Sequence, residues 1–196
     1  MKKIILLFLI LILYQPLFSQ SIQYEYFPLK SGNMWTYLSL ENGLIKIIKI
    51  DSDYIQNAGG HSYHIYLAID ATKIVASDVE RKLTTAYYYR GNELIHFLAK
   101  KEHILLQFPL EVGREWSYDV NGVIHKRIIT RKMTEKYVVG KNYSDVIEIK
   151  HTLIDEKIHV EYEYYAKGVG LVLREVVTEE NKKTPFLILN DFINTN

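Results

Sequence analysis

The chain contains no cysteine. That excludes disulfides, thiolate nucleophiles and thiolate metal ligands, and with them the acylated cysteine by which an exported lipoprotein is anchored. Proline (4 residues) and glycine (10) are sparse; they fall mainly between apolar runs, as turns rather than linkers. An excess of one charge is missing too: Lys+Arg number 24 and Asp+Glu 23, a balance that favours neither nucleic acid nor an anionic membrane surface. The basic run Lys126-Arg127…Arg131-Lys132 is interrupted by Ile128 and Ile129 and reads as a solvated strand.

Long apolar runs are absent with one exception. Lys2 and Lys3 precede an unbroken apolar stretch from Ile4 to Tyr14, followed by Gln15-Pro16-Leu17-Phe18-Ser19. A positive start, a short apolar segment and a small residue predict a cleavable secretion signal over 1–19, cut near Ser19. Gln15 and Pro16 end the run well short of the roughly 20 residues that a spanning helix needs. Loss of Lys2 and Lys3 takes the formal charge from +1 to −1. The expected product is one β domain over 20–196, secreted or periplasmic, with no stable membrane anchor and no lipid attached.

What is present is strand chemistry. Tyrosine occurs 16 times, and apolar residues alternate with polar ones: Tyr63, Ile65, Leu67 and Ile69 against His64, Tyr66, Ala68 and Asp70; Ile147, Ile149, His151 and Leu153 against Glu148, Lys150 and Thr152; Ile158, Val160, Tyr162 and Tyr164 against His159, Glu161 and Glu163. Such period-2 patterns predict antiparallel strands with an apolar inner and a polar outer face. Helical spacing is scarce. Val75, Val79 and Leu83 fit a short helix or equally a hairpin.

The chain also repeats itself. Phe27-Pro28-Leu29-Lys30-Ser31-Gly32-Asn33-Met34-Trp35-Thr36-Tyr37 recurs as Phe108-Pro109-Leu110-Glu111-Val112-Gly113-Arg114-Glu115-Trp116-Ser117-Tyr118, with six of eleven positions identical and both tryptophans of the chain in the same frame. Asn42-Gly43 and Asn121-Gly122 follow, each a hairpin signal. Later, Tyr87 to Ile95 resembles Tyr164 to Val172. These landmarks predict two similar tandem units, about 24–104 and 105–190, each of five or six strands. A sheet of 10–12 strands curls, closes or splits into layers. The expected fold is therefore all-β and mainly antiparallel, a wide curved sheet forming a half-barrel or barrel-like sandwich, with at most one or two short helices after the signal.

With its Phe-Pro-Leu-x-x-Gly-x-x-Trp-x-Tyr block at 27–37 and its Tyr-Tyr-Ala-Lys-Gly-Val-Gly-Leu-Val block at 164–172, the chain resembles a group of uncharacterised secreted β-rich proteins of Gram-negative bacteria. A looser likeness, by strand content and address, is to periplasmic half-barrel carriers of lipoproteins and lipids. The first resemblance implies an exported β domain; the second implies no function, since fold does not fix one.

Familiar chemistry is missing from the sequence. No Gly-x-Ser-x-Gly elbow is present. His61 and His64 would point to opposite faces of a strand, and Asp51 and Asp53 lack the third oxygen and the downstream Glu of a calcium loop. His151 reads as a hydrogen-bonded core residue, Glu161 and Glu163 as a solvated face, and Gly168-Val169-Gly170 as a turn. Neither a cofactor, a metal nor a catalytic residue is expected. The aromatics Trp35, Tyr37, Trp116 and Tyr118 are the candidate ligand-lining residues, or else core anchors. The expected function is that of a non-enzymatic exported scaffold holding an apolar, lipid-like ligand or an envelope partner. The alternatives are an envelope interaction or structural protein without a small ligand, and an enzyme of unrecognised type.

Overall fold

The structure is a computed structural model describing residues 25–74, 80–155 and 158–195; the secretion signal expected over 1–19 lies outside the described residues. Twelve strands follow one another: β1 (Met34–Ser39), β2 (Leu44–Ala58), β3 (His61–Ile74), β4 (Glu80–Arg90), β5 (Glu93–Leu98), β6 (Lys101–Gln107), β7 (Glu115–Val120), β8 (Val123–Val138), β9 (Lys141–Ile154), β10 (Ile158–Ala166), β11 (Gly170–Val177) and β12 (Lys183–Ile193). They form one antiparallel sheet in the order β6-β5-β4-β3-β2-β1-β12-β11-β10-β9-β8-β7. The all-β expectation holds, and the sheet is nearly closed into a barrel. The two ends of that order, β6 and β7, approach each other without a backbone ladder among the described residues. Side chains bridge this seam instead: Trp116 Nε1 donates to Ile104 O at 3.1 Å and Arg127 Nη1 to Leu105 O at 3.2 Å.

The two Trp-x-Tyr motifs begin β1 and β7 through the same turn. Gly32 N donates to Ile50 O and Gly113 N to Ile129 O, both at 2.8 Å. Ile50 N returns a bond to Asn33 O at 2.9 Å and Ile129 N to Arg114 O at 3.0 Å. Gly32 and Gly113 sit at φ +90° and +89°, where a Cβ would be strained. The Asn-Gly pairs differ. Asn121 and Gly122 both take positive φ, as a two-residue hairpin turn requires. In the longer β1–β2 turn only Gly43 does, while the Asn42 side chain accepts from Leu44 N at 3.2 Å.

Between β3 and β4 the helical alternative fails on its described part. Leu83 lies in β4, and Lys73 pairs with Glu80 across the hairpin; residues 75–79 lie outside the described residues.

Strand burial overturns the polar-outside half of the alternation readings. In β3 the buried residues are Ile65, Tyr66, Ala68 and Asp70, while Leu67 and Ile69 are only half-buried. In β10 Glu163 is 2 % exposed and faces inward with Glu161 and Tyr165, and Tyr164 on the other side is buried as well. β9 keeps its apolar side inward, with Ile147, Ile149 and His151 buried, yet Glu148 of its polar side is buried too. The basic run is split the same way: Lys126 is exposed and pairs with Glu115 at 3.0 Å, whereas Arg127 is buried. A closed wall explains the inward polar groups, because those from opposite sides of a barrel can satisfy one another in its interior.

Candidate functional site

The interior holds a cavity of about 260 Å³ lined from β1, β2 and β4 through β11. Tyr37, Lys46, Ile48, Tyr87 and His96 come from the first half of the chain; Tyr118, His125, Arg127, His151, Glu161, Glu163, Tyr165 and Arg174 come from the second. Alternation puts each of these on the inner face of its strand.

An ion-pair network occupies one wall. Arg127 Nη1 and Nη2 donate to Glu163 Oε2 and Oε1 at 2.6 and 3.2 Å, a fork-to-fork pair in which both residues are buried. Tyr165 OH donates to Glu163 Oε2 at 3.1 Å. Arg174 Nη2 bridges the carboxylates, at 2.9 Å from Glu163 and 2.7 Å from Glu161. Burial alone would raise the Glu163 carboxyl, but Arg127 and Arg174 outweigh it and hold it well below the usual carboxylate range. Glu161 is likewise raised by burial and lowered on balance, by its bond to His151 and by Arg174. Both are therefore ionised and spoken for by guanidinium groups.

From this network a string of imidazoles crosses the cavity. His125 Nδ1 and His151 Nε2 lie 3.0 Å apart, with rings stacked at 5.2 Å. The tautomer decides which of them donates. His125 stacks on Tyr118 at 4.8 Å and meets His103 edge-on at 6.0 Å; His103 lies 6.1 Å from His96, which stacks on Tyr87 at 4.3 Å. Burial, reinforced by Lys46 and His103, pushes His96 down to about 3. Burial, His151 and Arg127 lower His125 to about 4, and burial followed by Arg127 lowers His103. These three rings are neutral at neutral pH.

His151, Glu161 and Glu163 bring one potential ligand atom each within 4.8 Å of one another. Their carboxylate oxygens already accept from Arg127 and Arg174, so a divalent cation would have to displace two guanidinium groups. The set fits an ion pair better than a metal.

The four aromatics named from the sequence divide by place. Trp35 is fully buried, stacked on Phe27 at 5.1 Å and on Phe192 at 5.2 Å, with Nε1 donating to Val169 O. Trp116 is buried at the seam. Tyr37 and Tyr118 line the cavity. Glu161 and Glu163 are not the solvated face expected of them; His159, on the same strand, is exposed. Of the metal candidates, His64 Nε2 lies 2.6 Å from Asp53 Oδ2 across the β2–β3 hairpin, a pairing of one member from each motif. Gly168 and Gly170, at positive φ, form the β10–β11 turn.

Sequence reasoning missed Arg127, Arg174, His96, His103 and His125 as site residues. Their shared property is an inward register on strands far apart in the chain, and no local window displays it.

No family model matches the chain, and neither does any curated protein. Two solved structures do. One, from Bacteroides fragilis, is described as an inferred exported protein with a YmcC-like fold; it superposes with a TM-score of 0.60 at 10% identity, over 87% of this chain and 99% of that one. The other is an inferred lipoprotein of Parabacteroides distasonis, with a TM-score of 0.53 at 13% identity, over 86% of this chain and 98% of that one. At such identities the likeness is one of fold, and the chain shares the barrel-like architecture of these two proteins.

Proposed function

We propose that this chain is an exported, non-enzymatic barrel that binds a small polar molecule in its interior. The observation that carries the reading is the cavity itself, a space of about 260 Å³ walled by Arg127, Glu163, His96, His125 and flat tyrosine rings. Such a lining suits a polar ligand with a ring better than the lipid considered from the sequence. Export is supported by the signal pattern at 1–19, and by the description of one structural neighbour as exported and of the other as a lipoprotein. With no cysteine in the sequence, soluble release fits this chain better than acylation.

The proton affinities of four groups in the cavity support the non-enzymatic reading. A general acid or base works best with a pKa near the operating pH. Glu161 and Glu163 are held below the carboxylate range, and His125 and His96 fall to about 4 and about 3. None of the four is poised for proton transfer near neutrality.

Ligand-detected NMR of the mature chain against a library of small polar, ring-bearing molecules tests the reading. Binders that perturb the Tyr118 and His125 ring resonances support it; a library in which nothing moves those rings refutes it. Mass spectrometry of the exported chain tests the address: a product still starting at Met1 contradicts the signal. A second reading, an envelope partner, is favoured by a groove of about 370 Å³ lined by Tyr54, Tyr63, Tyr88 and Phe97, of which Tyr54 and Phe97 are exposed.

A further inference from the structure

Where the β1–β2 turn meets β10, β11 and β12, the barrel carries a bowl of about 580 Å³, within the usual range for small-molecule pockets. Its lining is mostly apolar, with Leu40, Val176, Pro185 and Phe186. Leu40 is 49 % exposed, and its backbone N donates to Phe186 O at 2.9 Å, which ties the turn to β12. A β-bulge shapes this wall. Leu187 pairs with Arg174 and Pro185 with Glu175, so Phe186 is an extra residue on its strand. Proline withholds the donor that an unbroken ladder would use, and bulges re-aim side chains beside functional sites.

The charged residues that line the bowl are of one sign: Glu41 and Glu161, with no Lys, Arg or His. Glu161 also lines the interior cavity, and its side chain is 20 % exposed, so a ligand can reach it. Arg174 donates to one of its oxygens, Oε2, at 2.7 Å. Glu41 is exposed, and its carboxylate makes no hydrogen bond or ion pair among the described residues. The neighbouring lysines are matched elsewhere, Lys182 by Glu180 at 3.4 Å and Lys183 by Glu148 at 2.9 Å. With Glu161 and Glu163 set against Arg174 and Arg127, the charge of Glu41 is left over. The bowl is therefore an apolar surface with an excess of negative charge.

We propose that the bowl binds a small primary amine in its ammonium form, the N–H groups donating to Glu161 in the field of Glu41 and the apolar body lying against Leu40, Val176, Pro185 and Phe186. An ammonium has three donors and no acceptor, which suits charged groups that can only accept. Charge-assisted bonds are the stronger kind, and the Phe186 face adds a cation–π attraction. This site is separate from the interior cavity of the proposed function, and neither reading depends on the other.

Benzylamine and benzyl alcohol test it, because they match in shape and differ in charge. Each is titrated into the mature chain at pH 7 and low salt, and followed through the Leu40 methyl and Phe186 ring resonances. Benzylamine is expected to bind with Kd on the order of 1 mM, within reach of a fragment-sized ligand, about tenfold more tightly than benzyl alcohol, and more weakly as salt is added. Equal affinities would overturn the ammonium class. No response in Leu40 and Phe186, or shifts confined to Tyr118 and His125, would overturn the site while leaving the interior reading to its own test. Glu41→Gln, an exposed change that spares the fold, is expected to weaken benzylamine about threefold and leave benzyl alcohol unchanged; an unchanged benzylamine affinity would contradict the role of charge. Leu40→Ala is expected to weaken both probes, and equal binding by that variant would contradict the placement of the apolar body.

Discussion

Replacing Glu163 by glutamine keeps the side chain's volume and removes one charge from the barrel interior. The carboxylate accepts from Arg127 at 2.6 and 3.2 Å, from Arg174 at 2.9 Å and from Tyr165 at 3.1 Å. An amide retains one accepting oxygen and sets its NH2 against these donors. Removing one partner of a buried pair costs about 3–5 kcal/mol, chiefly because the other charge stays buried and uncompensated. Arg174 keeps its 2.7 Å bond to Glu161, so the loss falls mainly on Arg127, whose remaining bonds are to Leu105 O and His151. We expect about 3–4 kcal/mol in urea unfolding at pH 7, and a fall in Tm of about 6–16 °C for a domain of this size. Because the folded pKa of Glu163 is depressed, its contribution is complete above the unfolded value of about 4.5 and declines as pH falls below it. The gap between wild type and variant should accordingly narrow by about 1.4 kcal/mol per pH unit in that acid range. The double variant Arg127→Met/Glu163→Leu, which removes both charges, should recover most of the stability. A loss below about 1 kcal/mol for the single variant, or a gap that stays constant from pH 6 to pH 3, would refute the reasoning.

The neutral histidines predict acid lability of the same sign. Since His96 is lowered from 6.5 to about 3, its contribution is fully present above pH 6.5 and is lost as pH falls toward the folded value. By pH 4 the wild type should lose about 3 kcal/mol from this residue, and His96→Gln should show a shallower dependence of urea midpoint on pH; equal slopes would contradict this. Gly170 sits at φ +102°, and an added Cβ would meet Phe27 and Trp35 Nε1 at 3.3 Å. Gly170→Ala should thus lower stability by at least about 1 kcal/mol in a thermal melt, and an unchanged Tm would count against the packing described. Trp116→Phe removes the donor to Ile104 O at the seam and should speed hydrogen exchange in β6 more than in β12, a difference that uniform protection would rule out.

Local signals carried the strands, since alternation, tyrosine content and turn residues need only a few neighbours to act. The Phe-Pro-Leu-x-x-Gly-x-x-Trp-x-Tyr blocks were legible for the same reason: Gly32 and Gly113 take a left-handed φ that their own sequence allows, and each reaches the equivalent isoleucine, Ile50 or Ile129. The prediction of wet and dry faces failed at β3 and β10 because it assumed that water lies on the polar side. Glu163 is an ordinary exposed strand residue until Arg127, from β8, is brought within 2.6 Å.

The sequence by itself determined an all-β chain with no disulfides and two copies of one turn-and-strand motif, all consequences of short-range backbone preference and composition. Only the tertiary structure decided that the sheet bends until β6 approaches β7, that the second face of the strands becomes the wall of an interior cavity, and that Tyr37, His96, Arg127 and Arg174 share it. The physical reason is that burial and ion pairing depend on which strands stand opposite one another across the barrel, a relation set by the closure of the whole sheet and written in no single strand.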